Sequence, residues 1–323
     1  MPKIYITRMV PESGIKTLKD KGYEVVVNPE DKVLTKEELI NNLKGQNYDA
    51  LFCLLTDKID AEVMDAFGPQ LKIIANMAMG FDNINIEEAK KRGIIITNTP
   101  GVLTDTVAEH TFALMLAIVH RVVEADKFAR ALKYQGWQPL LLLGNDLSRK
   151  TLGIIGLGRI GSRVAYHAVK GFDMKVLYYD VNRNEDFEKE FNAVYTSLED
   201  LLKQSDFISI HVPLLDSTRH LINAENLKLI KPSAYLVNTS RGPIIDEAAL
   251  AFALANKIIK GAALDVFEYE PKITSELLGL DNVILTPHIA SATEETRSKM
   301  SDLAATNIIE ALEGRIPPNL VKY

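Results

Sequence analysis

The sequence predicts an α/β protein of two doubly wound domains with parallel sheets, one domain inserted into the other. Three observations predict it. Short apolar runs alternate with polar, helix-periodic ones along almost the whole chain, the pattern of a parallel sheet flanked by helices. A strand, glycine turn, helix and second strand fill Thr151–Asp180, TLGIIGLGRIGSRVAYHAVKGFDMKVLYYD, in the middle of the chain rather than at its start. After His288 the stretch Thr293–Gly314 reads as one long helix, capped by Ser291 or Thr293. It is expected to cross back to the first domain, because the second is complete without it. The expected division is 1–100 with 289–323 for the outer domain and 101–288 for the inserted one.

With 323 residues the chain is long enough for two domains, and 47% hydrophobic with 25% charged residues is an ordinary globular balance. A formal net charge of −6 argues against nucleic acid or an acidic membrane as partner. The single cysteine, Cys53 in the apolar run ALFCLL, excludes an internal disulfide and a cysteine-based metal cluster, and no metal is expected. MPKIYITRMV reads as a strand, not a signal peptide, and no apolar run reaches spanning length. The chain is expected to be soluble and cytoplasmic.

In order, the first hundred residues give strands at Lys3–Thr7, Tyr23–Asn28, Ala50–Leu55, Leu71–Asn76 and Ile94–Asn98. Between them PESGIKTLKDKG, TKEELINNLKG, DAEVMDAFG and NIEEAKKRG each end near a glycine suited to a helix C-cap. No glycine-rich turn occurs here, so a phosphate-binding domain has to be the later one. Asn98-Thr99-Pro100-Gly101 breaks the pattern as a hinge. Thr106-Val107-Ala108-Glu109 has the form of a capping box, placing a helix start near Val107. The helix is apolar almost all round from Val107 to Val119, which suggests an inter-domain or subunit interface. Gly136-Trp137 and Leu140–Leu143 then form a non-periodic apolar arm. A partner subunit would cover it, so a homodimer is expected.

Within Thr151–Asp180 each glycine has a physical task. Gly156 allows the tight turn, Gly158 lets backbone approach a pyrophosphate, and Gly161 lets helix and strand pack closely. The helix start at Gly158-Arg159-Ile160-Gly161 offers unpaired N–H groups to phosphates. Asp180 closes the second strand at the right distance to accept hydrogen bonds from an adenosine ribose. The unit therefore predicts dinucleotide binding, and Asp180 should repel a 2′-phosphate, favouring NAD while Arg183 nearby leaves NADP possible.

Further strands are expected at Phe207–Val212, Tyr235–Thr239, Ala262–Val266 and Val283–Thr286, with helices at Leu198–Lys203, Asn223–Leu229 and Glu247–Ala255. In a doubly wound sheet, ligands bind outside the carboxyl ends of the strands. Those ends carry His211-Val212-Pro213, Asn238-Thr239-Ser240-Arg241-Gly242, Asp265 with Glu268 and Glu270, and Pro287-His288. An arginine, an acid and a histidine beside a nicotinamide suit hydride transfer to a 2-keto acid. Arginine grips a carboxylate bidentately and polarises the adjoining carbonyl. Histidine donates the proton that the nascent alkoxide needs, and a neighbouring carboxylate favours the imidazolium. On chemistry alone Glu268 and Glu270 are equally placed. His211 is expected to line the cofactor groove, His220 to be a loop residue, and His110, His120 and His167 to be structural or solvated.

Over essentially its full length the chain resembles the D-isomer-specific 2-hydroxyacid dehydrogenases. The resemblance rests on GLGRIG at 156–161, HVPLLDSTRHLI at 211–222, LVNTSRGPIIDEAAL at 236–250, GAALDVFEYEP at 261–271 and TPHIASATEETR at 286–297. It implies Rossmann-like and flavodoxin-like domains, with Arg241 as the substrate-binding arginine, Glu270 as the acid paired to the histidine, and His288 as the acid/base. It implies that backbone amides near Met79-Gly80 bind the substrate carboxylate, and that Thr106, Thr239 and Asp265 line the nicotinamide end. HIASATEETR, LLTDKID and Trp137 are most similar to the glyoxylate/hydroxypyruvate reductase branch, in which a tryptophan of the partner subunit can reach the active site. Leu54, Met79 and Trp137 would then line the substrate pocket between domains that close over it. The implied reaction is reduction of glyoxylate or hydroxypyruvate by NADH. D-Lactate, phosphoglycerate or phosphite dehydrogenases and a nicotinamide-sensing corepressor-like protein are the alternatives.

Overall fold

The structure, a computed structural model, describes residues 1–322. It comprises two compact units, one of Met1–Leu103 with the C-terminal stretch from Ala292, the other of Thr104–Ser291.

The first unit begins as a regular alternation: β1 (Lys3–Ile6), α1 (Glu12–Asp20), β2 (Glu24–Val27), α2 (Lys36–Leu43), β3 (Ala50–Cys53), α3 (Ala61–Phe67), β4 (Ile73–Asn76), α4 (Ile86–Lys91) and β5 (Ile95–Thr97). The five strands are all parallel in the order β2-β1-β3-β4-β5, the doubly wound order that reverses direction beside β1. β3 and β4, ALFC and IIAN, are buried throughout, as strands covered on both faces must be. Local chemistry sets the helix ends. Thr35 and Glu38 form a reciprocal capping box on α2, and α1 and α3 lead into Gly22 and Gly68 at φ +85° and +84°.

The second unit continues with α5 (Thr104–Val119), α6 (Val122–Arg130), β6 (Thr151–Ile155), α7 (Arg159–Phe172), β7 (Lys175–Tyr179), α8 (Glu185–Phe191), β8 (Val194–Tyr195), α9 (Leu198–Gln204), β9 (Phe207–Ile210), α10 (Ala224–Leu229), β10 (Tyr235–Asn238), α11 (Glu247–Ala255), β11 (Gly261–Leu264), α12 (Ser275–Leu278) and β12 (Val283–Leu285). Its seven parallel strands run β12-β11-β10-β9-β6-β7-β8, so the order reverses between β6 and β9. One face packs under α5 and α7 around Phe112, Met115, Val164 and Tyr178; the other packs under α9, α10 and α11 around Leu201, Leu227, Leu250 and Leu254. The chain then closes with α13 (Glu294–Leu312), capped by Thr293 and packed in the first unit against α1, where a Cβ on Gly14 would lie 2.4 Å from Ser301 Oγ.

Several expectations are corrected. α5 starts at Thr104, not near Val107, so Thr106 stands in the first turn instead of capping it. Asp105 in that turn pairs with Arg163 of α7 at 2.6 Å, which draws the turn into the helix. Much of the apolar character of α5 is accounted for inside its own unit, since it packs on the sheet over β10–β12 and against α7 beside it. It stops at His120 because Arg121 adopts left-handed backbone, φ +56°, and α6 sets off at 61°. α8, β8 and α12 lie in stretches where the residues suggest no element; they are short, and the alternation there is weak. Expected strands overrun at their carboxyl ends: β9, β10 and β12 stop at Ile210, Asn238 and Leu285, short of Val212, Thr239 and Thr286. Among the described residues no single helix is long and apolar enough to cross a membrane, and no three His, Cys, Asp or Glu are grouped to hold a metal ion.

Candidate active site

The glycine turn follows β6 at the point where the strand order reverses. Gly156 stands at φ +96°, and a Cβ there would meet Val212 Cγ1 at 2.8 Å and the His211 carbonyl carbon at 2.9 Å. Gly161 is tighter still, with a Cβ 2.0 Å from the Gly156 carbonyl oxygen, so α7 leans directly on the turn. Gly158 is the opposite case. Its Cβ position is open within 4 Å, leaving space above the turn at the start of a 14-residue helix. Two glycines are there for close packing and one for an approaching group, which is what a pyrophosphate requires. Asp180, directly after β7, accepts the Leu157 N–H at 2.7 Å and the Asn182 N–H at 3.0 Å, one on each oxygen. Each oxygen keeps a lone pair for a ribose hydroxyl. The Arg183 guanidinium makes a fork to Glu188 at 2.8 and 2.9 Å, and Glu188 also accepts the Tyr178 hydroxyl at 2.6 Å. These residues fit a dinucleotide.

Next along the sheet, His211 follows β9. Its Nε2 pairs with the Ser209 hydroxyl at 2.8 Å, and burial pulls the ring down to about 3, so it is neutral at physiological pH. Pro213, after it, is exposed. Thr239, beyond β10, is buried with its hydroxyl 3.0 Å from Thr111 of α5, while Thr106 is half-buried at the start of the same helix. Arg241 stands on a turn fixed by Asn238, whose amide donates to the Arg241 carbonyl at 2.9 Å and accepts the Ser240 N–H at 3.0 Å. Gly242 lets that turn press on the 267–268 backbone, where a Cβ would lie 1.9 Å from the Phe267 carbonyl carbon.

Asp265 is fully buried, and its carboxylate organises the turn after β12. One oxygen accepts the Thr286 hydroxyl at 2.7 Å and the Ile289 N–H at 2.8 Å; the other accepts the Ala290 N–H at 2.8 Å. Burial alone would raise this carboxyl, but His110, Thr286 and the two N–H groups hold it below the ordinary value. The turn so held carries His288, whose N–H donates to the Asp265 carbonyl at 2.8 Å and whose backbone is left-handed, φ +54°. His288 Nδ1 lies 2.9 Å from one oxygen of Glu270, and the other oxygen accepts the Phe267 N–H at 3.0 Å. With Nδ1 engaged, Nε2 is the nitrogen left to face a substrate. Glu268 faces away: it meets His220 Nε2 at 2.7 Å and accepts the Glu247 N–H at 3.1 Å. On chemistry alone the two acids stood level and the family resemblance chose Glu270; the pairing of Glu268 with His220 was not foreseen.

In the first unit, Leu54 and Met79-Gly80 lie on the loops that follow β3 and β4. Among the described residues no group accepts the Met79 or Gly80 N–H. Trp137 stands in the second unit on the irregular arm after α6, 83% exposed, with Leu132, Leu140 and Leu143 also bare.

Residues 112–290 match the family described as D-isomer specific 2-hydroxyacid dehydrogenase, NAD binding domain. The chain is 51% identical over 324 residues to a glyoxylate reductase of Thermococcus litoralis, covering 99% of this chain and 96% of that protein. It is 52% identical to a glyoxylate reductase of Thermofilum pendens, covering 99% and 94%. Among solved structures, the TT0316 protein of Thermus thermophilus superposes with a TM-score of 0.93 at 41% identity, over 99% of this chain and 100% of that one. An NADPH-dependent glyoxylate/hydroxypyruvate reductase of Sinorhizobium meliloti, solved with NADP and malonate, gives 0.85 at 30% identity over 99% and 96%.

Proposed function

The chain belongs to the D-isomer specific 2-hydroxyacid dehydrogenases, and from that premise we propose that it reduces glyoxylate to glycolate, and hydroxypyruvate after it to D-glycerate, at the expense of NADH. The observation that carries the reading is the His288–Glu270 pair, with Nδ1 tied down at 2.9 Å on a turn that Asp265 fixes. Gly156, Gly158, Arg159, Ile160, Gly161 and Asp180 would hold the dinucleotide, with His211, Pro213, Thr239, Thr106 and Asp265 toward its nicotinamide end. When bound, it supplies the hydride.

The chain's own residues do the rest. Arg241 anchors the substrate carboxylate and polarises the keto group. His288 gives the proton on Nε2 to the substrate oxygen as the alkoxide forms, and Glu270 fixes the ring and balances its charge. Leu54, Met79, Gly80 and Trp137 enter as substrate-lining residues on the family resemblance. NAD is favoured over NADP because Asp180 presents a carboxylate at the ribose end and the Arg183 fork is already engaged by Glu188. A homodimer is supported by the bare apolar arm around Trp137, whose burial needs a second surface, and a cytoplasmic location by the sequence features above.

Steady-state oxidation of NADH and NADPH against glyoxylate, hydroxypyruvate, pyruvate and phosphohydroxypyruvate tests the proposal. Fastest turnover is expected with glyoxylate and NADH. Turnover on phosphohydroxypyruvate alone would overturn the substrate, and preference for NADPH would overturn the role given to Asp180.

A further inference from the structure

The loop after β4 is built by amides from the ends of two strands. The Ala78 carbonyl accepts the Thr99 N–H at 2.9 Å, the Met79 carbonyl accepts Asn98 Nδ2 at 2.7 Å, and the Gly80 carbonyl accepts Asn76 Nδ2 at 2.9 Å. Three consecutive carbonyls are therefore pinned. In a trans peptide the N–H points opposite to the carbonyl of the same plane. Pinning the carbonyls of 78, 79 and 80 thus turns the N–H groups of Met79, Gly80 and Phe81 away from the groups that hold them. Among the described residues none of the three has an acceptor. Successive backbone N–H groups left without acceptors on one turn are the raw material of a concave anion site.

Neither asparagine could serve equally well with its amide reversed, because each faces a carbonyl, which only accepts. Asn76 is fully buried and spent on both ends: Nδ2 also meets Asn83 Oδ1 at 3.0 Å, and Oδ1 lies 3.5 Å from Cys53 Sγ. Asn98 is itself held, its N–H on the Asn319 carbonyl at 3.3 Å and its carbonyl accepting Asn307 Nδ2 at 3.2 Å, so α13 and the C-terminal segment brace it.

We propose that Asn98 and Asn76 are positioning residues for the substrate carboxylate, holding the 78–80 carbonyls so that the N–H groups of Met79, Gly80 and Phe81 form a three-donor cradle. The proposal rests on the reading that this loop receives the carboxylate of a 2-keto acid. Asn98 is the better test site, being only half-buried. Asn98→Asp keeps the shape but puts a carboxylate oxygen against the Met79 carbonyl, and Asn98→Ala removes the donor without adding charge.

Two measurements are made on wild type and both variants: steady-state glyoxylate reduction, and calorimetric titration of oxalate into the NADH-loaded protein. In both variants the KM for glyoxylate should rise about tenfold or more, the loss of one charge-assisted contact, and Asn98→Asp should be the worse of the two. Oxalate should weaken in step, while kcat at saturation and the KM for NADH stay close to wild type. Equal oxalate binding in all three proteins, or a loss confined to kcat, overturns the proposal, as does a wild type that does not bind oxalate. A wild type that binds oxalate but reduces no keto acid, with weakened oxalate in the variants, would uphold the cradle and sink the proposed function instead.

Discussion

Two histidine–glutamate pairs share one short loop. Glu268 and Glu270 stand two residues apart; the first meets His220 at 2.7 Å and the second meets His288 at 2.9 Å. Both histidines have left-handed backbone, φ +51° and +54°. Residue type, distance and backbone therefore do not separate a latch from a candidate dyad. What separates them is the nitrogen engaged and what encloses the acid. His220 spends Nε2 on Glu268, whose side chain is 6% exposed and locked to Glu247 in both directions: Glu268 accepts the Glu247 N–H, and the Glu268 N–H donates to the Glu247 carboxylate at 2.7 Å. Buried Glu247 also accepts the Thr274 N–H at 2.8 Å. His288 spends Nδ1 and keeps Nε2, and Glu270 is 32% exposed. One pair closes the loop; the other opens onto the edge of the sheet where Arg241 stands.

The largest effect should come from breaking the open pair. His288→Ala is expected to lower kcat about 10²–10⁴-fold, the range for a lost general acid. Glu270→Gln keeps a hydrogen-bond acceptor but not the charge, so a smaller loss of about 10–100-fold in kcat is expected. Stopped-flow and steady-state assays across pH 5–9 check both. A His288→Ala protein with wild-type turnover would mean that the two pairs do not differ in kind.

Breaking the closed pair should read out in stability instead. Burial would raise the Glu268 carboxyl, but His220, the Glu247 N–H and Tyr269 hold it below the ordinary value. Glu268→Gln leaves a single acceptor oxygen for two partners, the Glu247 N–H and His220 Nε2. It is expected to cost about 1 kcal/mol, discounted because His220 is 41% exposed. Turnover should stay within about threefold of wild type, since a well-separated latch touches no reacting atom. Urea melts alongside kcat test this. A loss of turnover without loss of stability would make the latch part of the chemistry.

How much of this could be read from the residues follows from where each signal lives. Gly156 and Gly161 were legible because a close approach leaves no alternative residue, Asp180 because it closes the second strand of the unit, and the strand ends because the alternation of β9 to β12 points to their carboxyl edge. The sequence could not choose between Glu268 and Glu270 on chemistry, because the choice depends on which way each side chain leaves a loop with no periodicity; the family resemblance chose Glu270. The break at Arg121 went unseen because left-handed backbone there is carried by an arginine, with neither glycine nor proline to mark it. Asn76 and Asn98 carried no signal at all, since an asparagine at the end of a buried strand looks the same whether it ends the strand or steers the next loop. The seven mostly charged residues of α8 and the two residues of β8 were too short for a period to declare itself.

A third histidine sharpens the contrast and supplies the smallest effect. Among the described residues no carboxylate is paired to His211, whose Nε2 meets the Ser209 hydroxyl, and burial lowers the ring from 6.5 to about 3. A base whose folded pKa is depressed stabilises the fold fully above its unfolded value and loses that contribution as pH falls toward the folded one. Between pH 6.5 and about 3 the unfolded chain takes up a proton that the folded ring refuses. Stability from this residue should therefore fall with acid, by less than the full ~1.4 kcal/mol per pH unit because His211 is only half-buried. His211→Asn should flatten the acid limb of unfolding free energy measured by urea from pH 7 to pH 4, while leaving the neutral plateau lower by the lost Ser209 contact. An acid limb unchanged by the substitution would mean that His211 takes up its proton in the fold as readily as in the unfolded chain, and that enclosure without a carboxylate does not set a histidine apart here.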